Sequence, residues 1–253
     1  MIQLTLITHV YNAQQPVARQ LALWQQFDPA LLARLKFLVI DDHSDVPLTV
    51  DKGPLDLRLL RVDDDIDWNM PGCRNLAATL CGTEWMLYFD VDNLVSEASL
   101  RKMIDALPRL DPRRLHVFRR TQDGVDVEPH INSFLITRQG FWRAGGYDED
   151  FSGHYGFEDV LFRMMWRKHV GTEVLLTDIA FEQMSFRTAG LDRDTTRNQT
   201  LIQQRAAADM PKPRGMLRFA WHEVDAPASV VVPAATARVE QPQDEPELAT
   251  NNA

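Results

Sequence analysis

The chain has 253 residues, of which 45% are hydrophobic and 25% are charged, as in an average globular protein. Its formal net charge of −9 argues against a nucleic-acid partner, because nucleic-acid-binding proteins carry a basic excess or a basic patch. No run approaches the roughly 18 apolar residues that a membrane-spanning helix needs. We therefore expect no transmembrane segment, which leaves only peripheral membrane contact open.

The two ends of the chain and its two cysteines bear on domain organisation and location. Residues 1–4 lack a basic stretch ahead of the apolar run, so they predict a strand and not a signal peptide. Cys73 and Cys81 fall in one predicted helix at a separation of about 12 Å along the axis, too far for a disulfide. Reduced thiols predict a cytoplasmic protein. Residues 223–253 are rich in Pro, Ala, Glu and Gln and lack aromatic residues, which predicts a domain at 1–222 followed by a disordered acidic tail.

Short apolar runs alternate along the chain with stretches of helical periodicity. This alternation predicts an α/β fold with a mostly parallel sheet and right-handed crossovers. Strands are predicted at residues 4–8, 37–40, 57–62, 85–89, 115–118, 132–136, 174–176 and 179–181. Helices are predicted at about 16–35, 71–81, 96–107, 140–146, 158–166 and 201–210. Residues 9–12 are predicted to be a polar loop.

The stretch at 85–93 carries the clearest chemical signal. Its apolar run predicts a buried strand, and the run ends in Asp90 and Asp92, followed by Asn93. Ligands of open α/β sheets bind outside the carboxyl ends of the strands, where two carboxylates suit a divalent cation that also holds a phosphate. The alternative is an ordinary polar turn, since Asp and Asn are common turn residues.

Polar clusters follow other predicted strands or begin predicted helices. They lie at 8–12, 41–45, 74–75 and 158–159, the last preceded by two glycines that allow close backbone approach to a ligand. Because the carboxyl ends of parallel strands gather at one edge of a sheet, we expect these clusters to be neighbours of the 90–93 turn.

In this order the motifs resemble those of family 2-type glycosyltransferases of GT-A fold, which transfer a sugar from a nucleotide diphosphate. The resemblance extends from about residue 4 to 198. It rests on Ile-Thr-His-Val-Tyr-Asn at 7–12, with one extra residue, and on Val-Ile-Asp-Asp-His-Ser-Asp at 39–45. It also rests on Gly-Cys-Arg-Asn, on the DXD-like Phe-Asp-Val-Asp-Asn, and on Gly-Gly-Tyr-Asp-Glu followed by Gly-Phe-Glu-Asp, at 72–75, 89–93, 145–149 and 156–159. It implies a Rossmann-like, mostly parallel sheet flanked by helices.

The resemblance also implies a UDP-sugar donor and a saccharide or glycolipid acceptor. Thr8 and Asp42 would meet the nucleobase, and Arg74 would lie near the donor phosphates. The matching donor-side positions are Thr8, Tyr11, Asn12, Asp42, Arg74, Asn75 and Asp90.

The same resemblance implies a metal ion and a catalytic base. Asp92, with Asp90, would hold Mn²⁺ or Mg²⁺, which neutralises charge on the leaving diphosphate. Asp159 would be the general base for direct displacement with inversion, and Glu158 competes for that role. The acceptor side would include His154, Tyr155 and Gly156.

One departure concerns a histidine that related enzymes often supply as a further metal ligand. Residues 181–186 contain none, which leaves Glu182, Gln183 or His222 as substitutes, or a metal held by fewer protein ligands. This departure keeps open a second hypothesis, a catalytically inactive relative that binds a nucleotide-sugar or acts as a scaffold. A nucleotidyltransferase is less consistent with the sequence, because no glycine-rich basic loop follows the first strand.

Overall fold

The computed structural model describes residues 3–186, 188, 190–207 and 215–225. This part of the chain forms one mixed sheet with helices on both faces. The strands are β1 (Leu4–Val10), β2 (Leu35–Asp41), β3 (Leu57–Val62), β4 (Trp85–Tyr88), β5 (Asn93–Val95), β6 (Leu115–Gln122), β7 (Val125–Val127), β8 (Phe134–Thr137), β9 (Glu173–Gln183) and β10 (Trp221–Val224). The helices are α1 (Gln14–Trp24), α2 (Pro29–Leu32), α3 (Met70–Leu80), α4 (Glu97–Ala106), α5 (Arg138–Arg143), α6 (Glu158–His169) and α7 (Thr196–Ala207).

The strand order is β10-β3-β2-β1-β4-β8-β6-β9-β5, with β7 paired to β6. Strands β3, β2, β1 and β4 are parallel to one another, whereas β8 runs antiparallel to β4. The carboxyl ends of these four parallel strands therefore meet at one edge of the sheet, as the polar clusters predict. The α/β fold class is confirmed.

Both faces of the sheet are covered, which explains the continuous apolar runs of its central strands. In β4, Trp85 and Leu87 pack with α1 and α4, whereas Met86 and Tyr88 pack with α3 and α5 on the other face. This alternation follows from the two-residue repeat of a strand.

Several element boundaries differ from those predicted. Strand β1 continues through Val10, so His9 and Val10 lie in the sheet and not in the loop predicted at 9–12. The helix predicted at 16–35 is divided into α1 and α2, because Asp28 caps α2 by accepting from the Ala30 amide at 2.7 Å and Pro29 begins that helix. The strands predicted at 174–176 and 179–181 are one strand, β9, interrupted by a register shift.

The end of the domain also differs from the prediction. Strand β10 pairs antiparallel with β3 and extends two residues beyond the predicted boundary at 222. The rest of the predicted tail, from 226 onward, lies outside the described residues. Within the described ranges, no helix is both long and apolar enough to cross a membrane.

The segment that leads into β10 is joined to the domain through the buried carboxylate of Glu149. Its Oε1 accepts from Asn75 Nδ2 at 2.9 Å and from the Leu217 amide at 2.8 Å. Its Oε2 accepts from the Arg218 amide at 3.3 Å. One carboxylate therefore connects α3, the loop before α6 and the approach to β10.

Glu149→Ala should lower the free energy of unfolding by about 2 to 4 kcal/mol, because it leaves buried donors without an acceptor. Urea unfolding monitored by circular dichroism measures this change. The exposed Glu128→Ala is the matched control and should stay within about 0.5 kcal/mol of the parent. An equal loss in both variants would show that Glu149 does not have this role.

Candidate active site

A cleft of about 540 Å³ opens at the edge where the parallel strands end. A smaller cavity of about 110 Å³ adjoins it and shares His9, Trp68 and Asp90 with it. The structure brings Asp90, Asp92, Glu158 and Asp159 together in the larger cleft, and Asp42 and Tyr11 in the smaller cavity. The predicted clusters are thus neighbours.

The backbone of the 90–93 turn is held from helix α1. Gln20 donates its side-chain amide to the carbonyls of Val91 and Asn93, at 3.1 and 2.9 Å. The Asn93 amide donates to the Asp90 carbonyl at 2.9 Å, which closes the turn. Gln20 was not predicted as part of the site, although a polar residue on the same helical face as Val17 and Trp24 is a usable signal.

Asp90 is held in its charged form by surrounding donors. Its Oδ1 accepts from Arg74 at 3.0 Å, and its Oδ2 accepts from Asn132 at 3.1 Å and lies 3.7 Å from His130 Nε2. Burial acts to raise the pKa of Asp90, but His130, Arg74, His9 and the Asn132 bond outweigh it, so the pKa is lowered. No local sequence signal places His130 beside Asp90.

Arg74 lies beneath this turn and does not line the cleft. It is 1% exposed and donates to the Tyr147 hydroxyl at 2.7 Å as well as to Asp90. Its guanidinium carbon lies 5.4 to 5.5 Å from the ring centroids of Tyr88, Phe134 and Tyr147. Arg74 was predicted to lie near the donor phosphates, and the structure places it behind Asp90, so any effect on a ligand passes through Asp90.

Asp92 differs from Asp90 in its surroundings. Its pKa is raised by burial and by the negative charge of Asp90. Asn93 donates to its Oδ1 at 2.8 Å, and Gln183 donates to its Oδ2 at a long 3.4 Å. A nearby cation would therefore favour the ionised form of Asp92.

We tested whether these side chains suit a divalent ion. Among the residues that the structure describes, no group of three or more His, Cys, Asp or Glu side chains is arranged to hold one. Of the three substitutes considered, Gln183 contacts Asp92, Glu182 is exposed, and His222 contacts Asp63 at 2.6 Å on the strand beside β3. Two carboxylates suit Mg²⁺ or Mn²⁺ that takes its other ligands from a diphosphate and water, so the site fits an ion that arrives with a nucleotide.

Asp42 occupies the smaller cavity with unused hydrogen-bonding capacity. It is 4% exposed, and its Oδ1 has no hydrogen-bond partner among the described residues. Burial raises the pKa of Asp42 to about 7, against the opposing effect of Cys73 and Asn69. A donor group of a ligand would satisfy this oxygen.

His9, and not Thr8, faces both cavities from β1. Burial lowers the pKa of His9 to about 4, so its ring is neutral at pH 7. Thr8 is buried, and its hydroxyl donates to the His9 carbonyl at a long 3.5 Å. The expected donor-side role of Thr8 therefore passes to its neighbour His9. Consecutive side chains of a strand point to opposite faces of the sheet, so an assignment that is off by one residue selects the wrong face.

Two further donor-side predictions are corrected by the contacts that they make. Asn12 has a left-handed backbone, and its side chain exchanges two hydrogen bonds with Asp45, at 3.0 and 2.9 Å. Asn75 is fully buried and exchanges bonds with the backbone of Tyr147, at 2.9 and 2.8 Å. The side chains of both asparagines are engaged in these contacts, whereas Tyr11 lines the smaller cavity.

Glu158 and Asp159 begin α6 and point into the larger cleft. Burial, and then the charge of Asp159, raise the pKa of Glu158 to about 7, and its buried Oε2 has no hydrogen-bond partner in the described ranges of the chain. Burial also raises the pKa of Asp159, although its Oδ1 accepts from the Val160 amide at 2.6 Å. Gly156 and Phe157 take left-handed conformations that direct the chain into this helix.

Of the residues predicted on the acceptor side, two line the cleft and one does not. Tyr155 and Gly156 line the cleft, and the Tyr155 ring lies 4.6 Å from that of Trp68. His154 is exposed outside the lining, and its carbonyl accepts from Asn198 at 2.9 Å. His154 is therefore corrected to a residue that supports the loop through its backbone.

Comparison with known proteins bears on the fold. No protein-family model matches the chain, and no curated protein sequence matches it. Among solved structures, TarS 1-349 of S. aureus in complex with UDP-GlcNAc matches with a TM-score of 0.59 at 14% identity, covering 74% of this chain and 60% of that one. A structure of S. aureus TarS matches with a TM-score of 0.60 at 15% identity, covering 85% and 41%.

GalNAc-T7 with UDP, GalNAc and Mn²⁺ matches with a TM-score of 0.56 at 12% identity, covering 76% of this chain and 45% of that one. The matched region thus spans less than two thirds of the length of each of these structures. At such identities the similarity establishes the fold, which is that of the GT-A glycosyltransferases.

Asp42→Asn should stabilise the protein at pH 8 by up to about 4 kcal/mol, because a pKa raised from 3.8 to about 7 means that ionising Asp42 opposes folding. Below pH 4 Asp42 is protonated in the folded and the unfolded state, so the penalty is absent there. The penalty grows as the pH rises to 7. The gain should therefore shrink toward zero between pH 8 and pH 4 in urea unfolding. Exposed Asp65→Asn is the control, and a gain independent of pH would contradict the assignment.

Proposed function

We propose that this protein is a glycosyltransferase that moves a sugar from a UDP-sugar to a hydroxyl group of a saccharide or glycolipid acceptor. The observation that carries the proposal is the convergence of three carboxylate sites at one sheet edge. Asp42 lies in the cavity beside the cleft, Asp90 and Asp92 lie on its floor, and Glu158 and Asp159 lie across it.

The donor is placed by the first two sites. The unpartnered Oδ1 of Asp42 accepts the uracil N–H, and Tyr11 lines the same cavity. The diphosphate then extends toward Asp90 and Asp92. Structures that share the fold include TarS complexes with UDP-GlcNAc and with UDP, which supports a uridine nucleotide as the ligand.

Asp92, with Asp90 beside it, would hold Mn²⁺ or Mg²⁺ through its less engaged carboxylate. The bound ion would neutralise negative charge on the leaving diphosphate. The GalNAc-T7 structure that shares the fold contains Mn²⁺, which is consistent with this assignment. Arg74 and Asn132 keep Asp90 charged, and Gln20 keeps the turn in place.

Asp159 serves as the general base. The acceptor oxygen forms a bond to the anomeric carbon as the bond from that carbon to the diphosphate oxygen breaks, and the acceptor proton passes to Asp159. One displacement inverts the anomeric configuration. We favour Asp159 over Glu158 because the Val160 amide stabilises its ionised form, whereas burial keeps Glu158 protonated to about pH 7.

Calorimetric titration with UDP, with and without Mn²⁺, tests the donor site. We expect binding that Mn²⁺ strengthens and that Asp92→Ala weakens by about tenfold or more, because one carboxylate ligand is lost. Asp126→Ala, an exposed aspartate on β7, is the matched control and should bind as the parent does. Absence of binding to UDP and to other nucleoside diphosphates would refute the transferase proposal.

Asp159→Asn should lower the transfer rate by about 10² to 10⁴-fold while leaving UDP affinity within about twofold, because only the proton acceptor is removed. Turnover of radiolabelled UDP-sugars measures the rate, and calorimetry measures the affinity. Glu158→Gln is the parallel variant. Retained turnover in Asp159→Asn together with loss of turnover in Glu158→Gln would assign the role of general base to Glu158. A parent protein that binds UDP without turnover would favour a catalytically inactive relative.

A further inference from the structure

Two exposed apolar side chains lie beside the proposed catalytic base. Ile131 is 39% exposed and Val160 is 36% exposed, and both line the cleft. Within the described part of the chain, the other large exposed apolar side chains lie outside the cleft lining, at Val46, Val125, Val174 and Leu175. Single exposed apolar residues are common on protein surfaces, so the significance of this pair depends on what holds it in place.

The backbone segments that carry both side chains are tied to α6. Val160 is the next residue of α6, and its amide donates to Asp159 Oδ1 at 2.6 Å. The carbonyl of Ile131 accepts from Arg163 at 2.6 Å, and Arg163 lies one helical turn after Val160. Arg163 is itself buried and paired with Glu173. Ile131 and Val160 therefore line the same cleft as Asp159 on backbone that the helix holds in place.

The lining of the cleft includes apolar as well as polar side chains. His130 and Asn132 present ring and amide nitrogens toward the Asp90 carboxylate. Tyr155 and Phe157 join Ile131 and Val160 in the same lining. Burial of apolar surface there is favourable only for a ligand with an apolar group.

On the basis of the proposed function, we infer that the acceptor is an amphiphilic glycoside. Its sugar hydroxyl reaches Asp159, and an apolar substituent of that sugar packs against Ile131 and Val160. The proposal selects a lipid-linked or otherwise apolar glycoside over a free polar saccharide. Two rim side chains offer far less area than the roughly 1,200 Å² of a stable protein interface, which disfavours a protein partner.

The test compares methyl and octyl β-glycosides of glucose, galactose, N-acetylglucosamine and N-acetylgalactosamine, each below its micelle concentration, as acceptors from UDP-sugars. We expect at least one octyl glycoside to exceed its methyl counterpart in kcat/KM by about tenfold or more, as burial of a few methylene groups implies. Ile131→Ser and Val160→Ser should each reduce this octyl-to-methyl ratio by about threefold or more. Val174→Ser, which changes a valine of similar exposure outside the cleft, should leave the ratio unchanged.

Equal use of the methyl and octyl forms, or use of neither, would overturn the amphiphilic acceptor. A ratio that is unchanged in Ile131→Ser and Val160→Ser would also overturn it, because the preference would then arise elsewhere. The proposed function fails separately, since it depends on the binding of UDP, which calorimetry measures without an acceptor.

Discussion

The buried guanidinium of Arg74 is the constraint on which the cleft depends. An unpaired cation in the interior is costly, so Arg74 requires an ionised partner, and Asp90 is the carboxylate within reach. That pairing places Asp90 on the cleft floor, and it acts together with the larger effect of His130 to lower the pKa of Asp90. Asp90 in turn accepts from Asn132 and so orders the loop before β8. The Arg74–Asp90 pair, which lies beneath the cleft, therefore positions both the turn after β4 and the loop before β8 on the opposite wall.

Negative charge accumulates around this cleft at a cost in stability. The pKa values of Asp42, Asp92 and Glu158 are all raised, which means that each is more stable protonated than it would be in water. A protein selected for stability alone would replace such groups, and a cluster of raised pKa values is typical of binding sites. A nucleotide with its cation would lower the cost of ionising Asp42 and Asp92, because it brings N–H donors to Asp42 and positive charge to Asp92.

The sequence predicts the helices and strands of the core well, since strands buried on both faces are apolar throughout and their carboxyl ends identify the site. It does not distinguish ligand-binding residues from structural ones of the same type. Asn12 and Asn75 match the motifs yet bind neighbouring backbone or side chains. Thr8 and His9 are neighbours on β1 and point to opposite faces of the sheet, so an assignment that is off by one residue selects the wrong side chain. His130 enters the site only through tertiary packing, which no local pattern encodes.

The base strength of Asp159 reflects a competition between the helix and its surroundings. The amino-terminal end of α6 favours negative charge and would lower the pKa, and the Val160 amide adds to this effect. Burial nevertheless raises it, so water exclusion dominates. Ile131 and Val160 form the adjacent apolar rim, and an acceptor packed on them would exclude more water. The side chains proposed to hold the acceptor would therefore also make the carboxylate a stronger base at the moment when its proton must move.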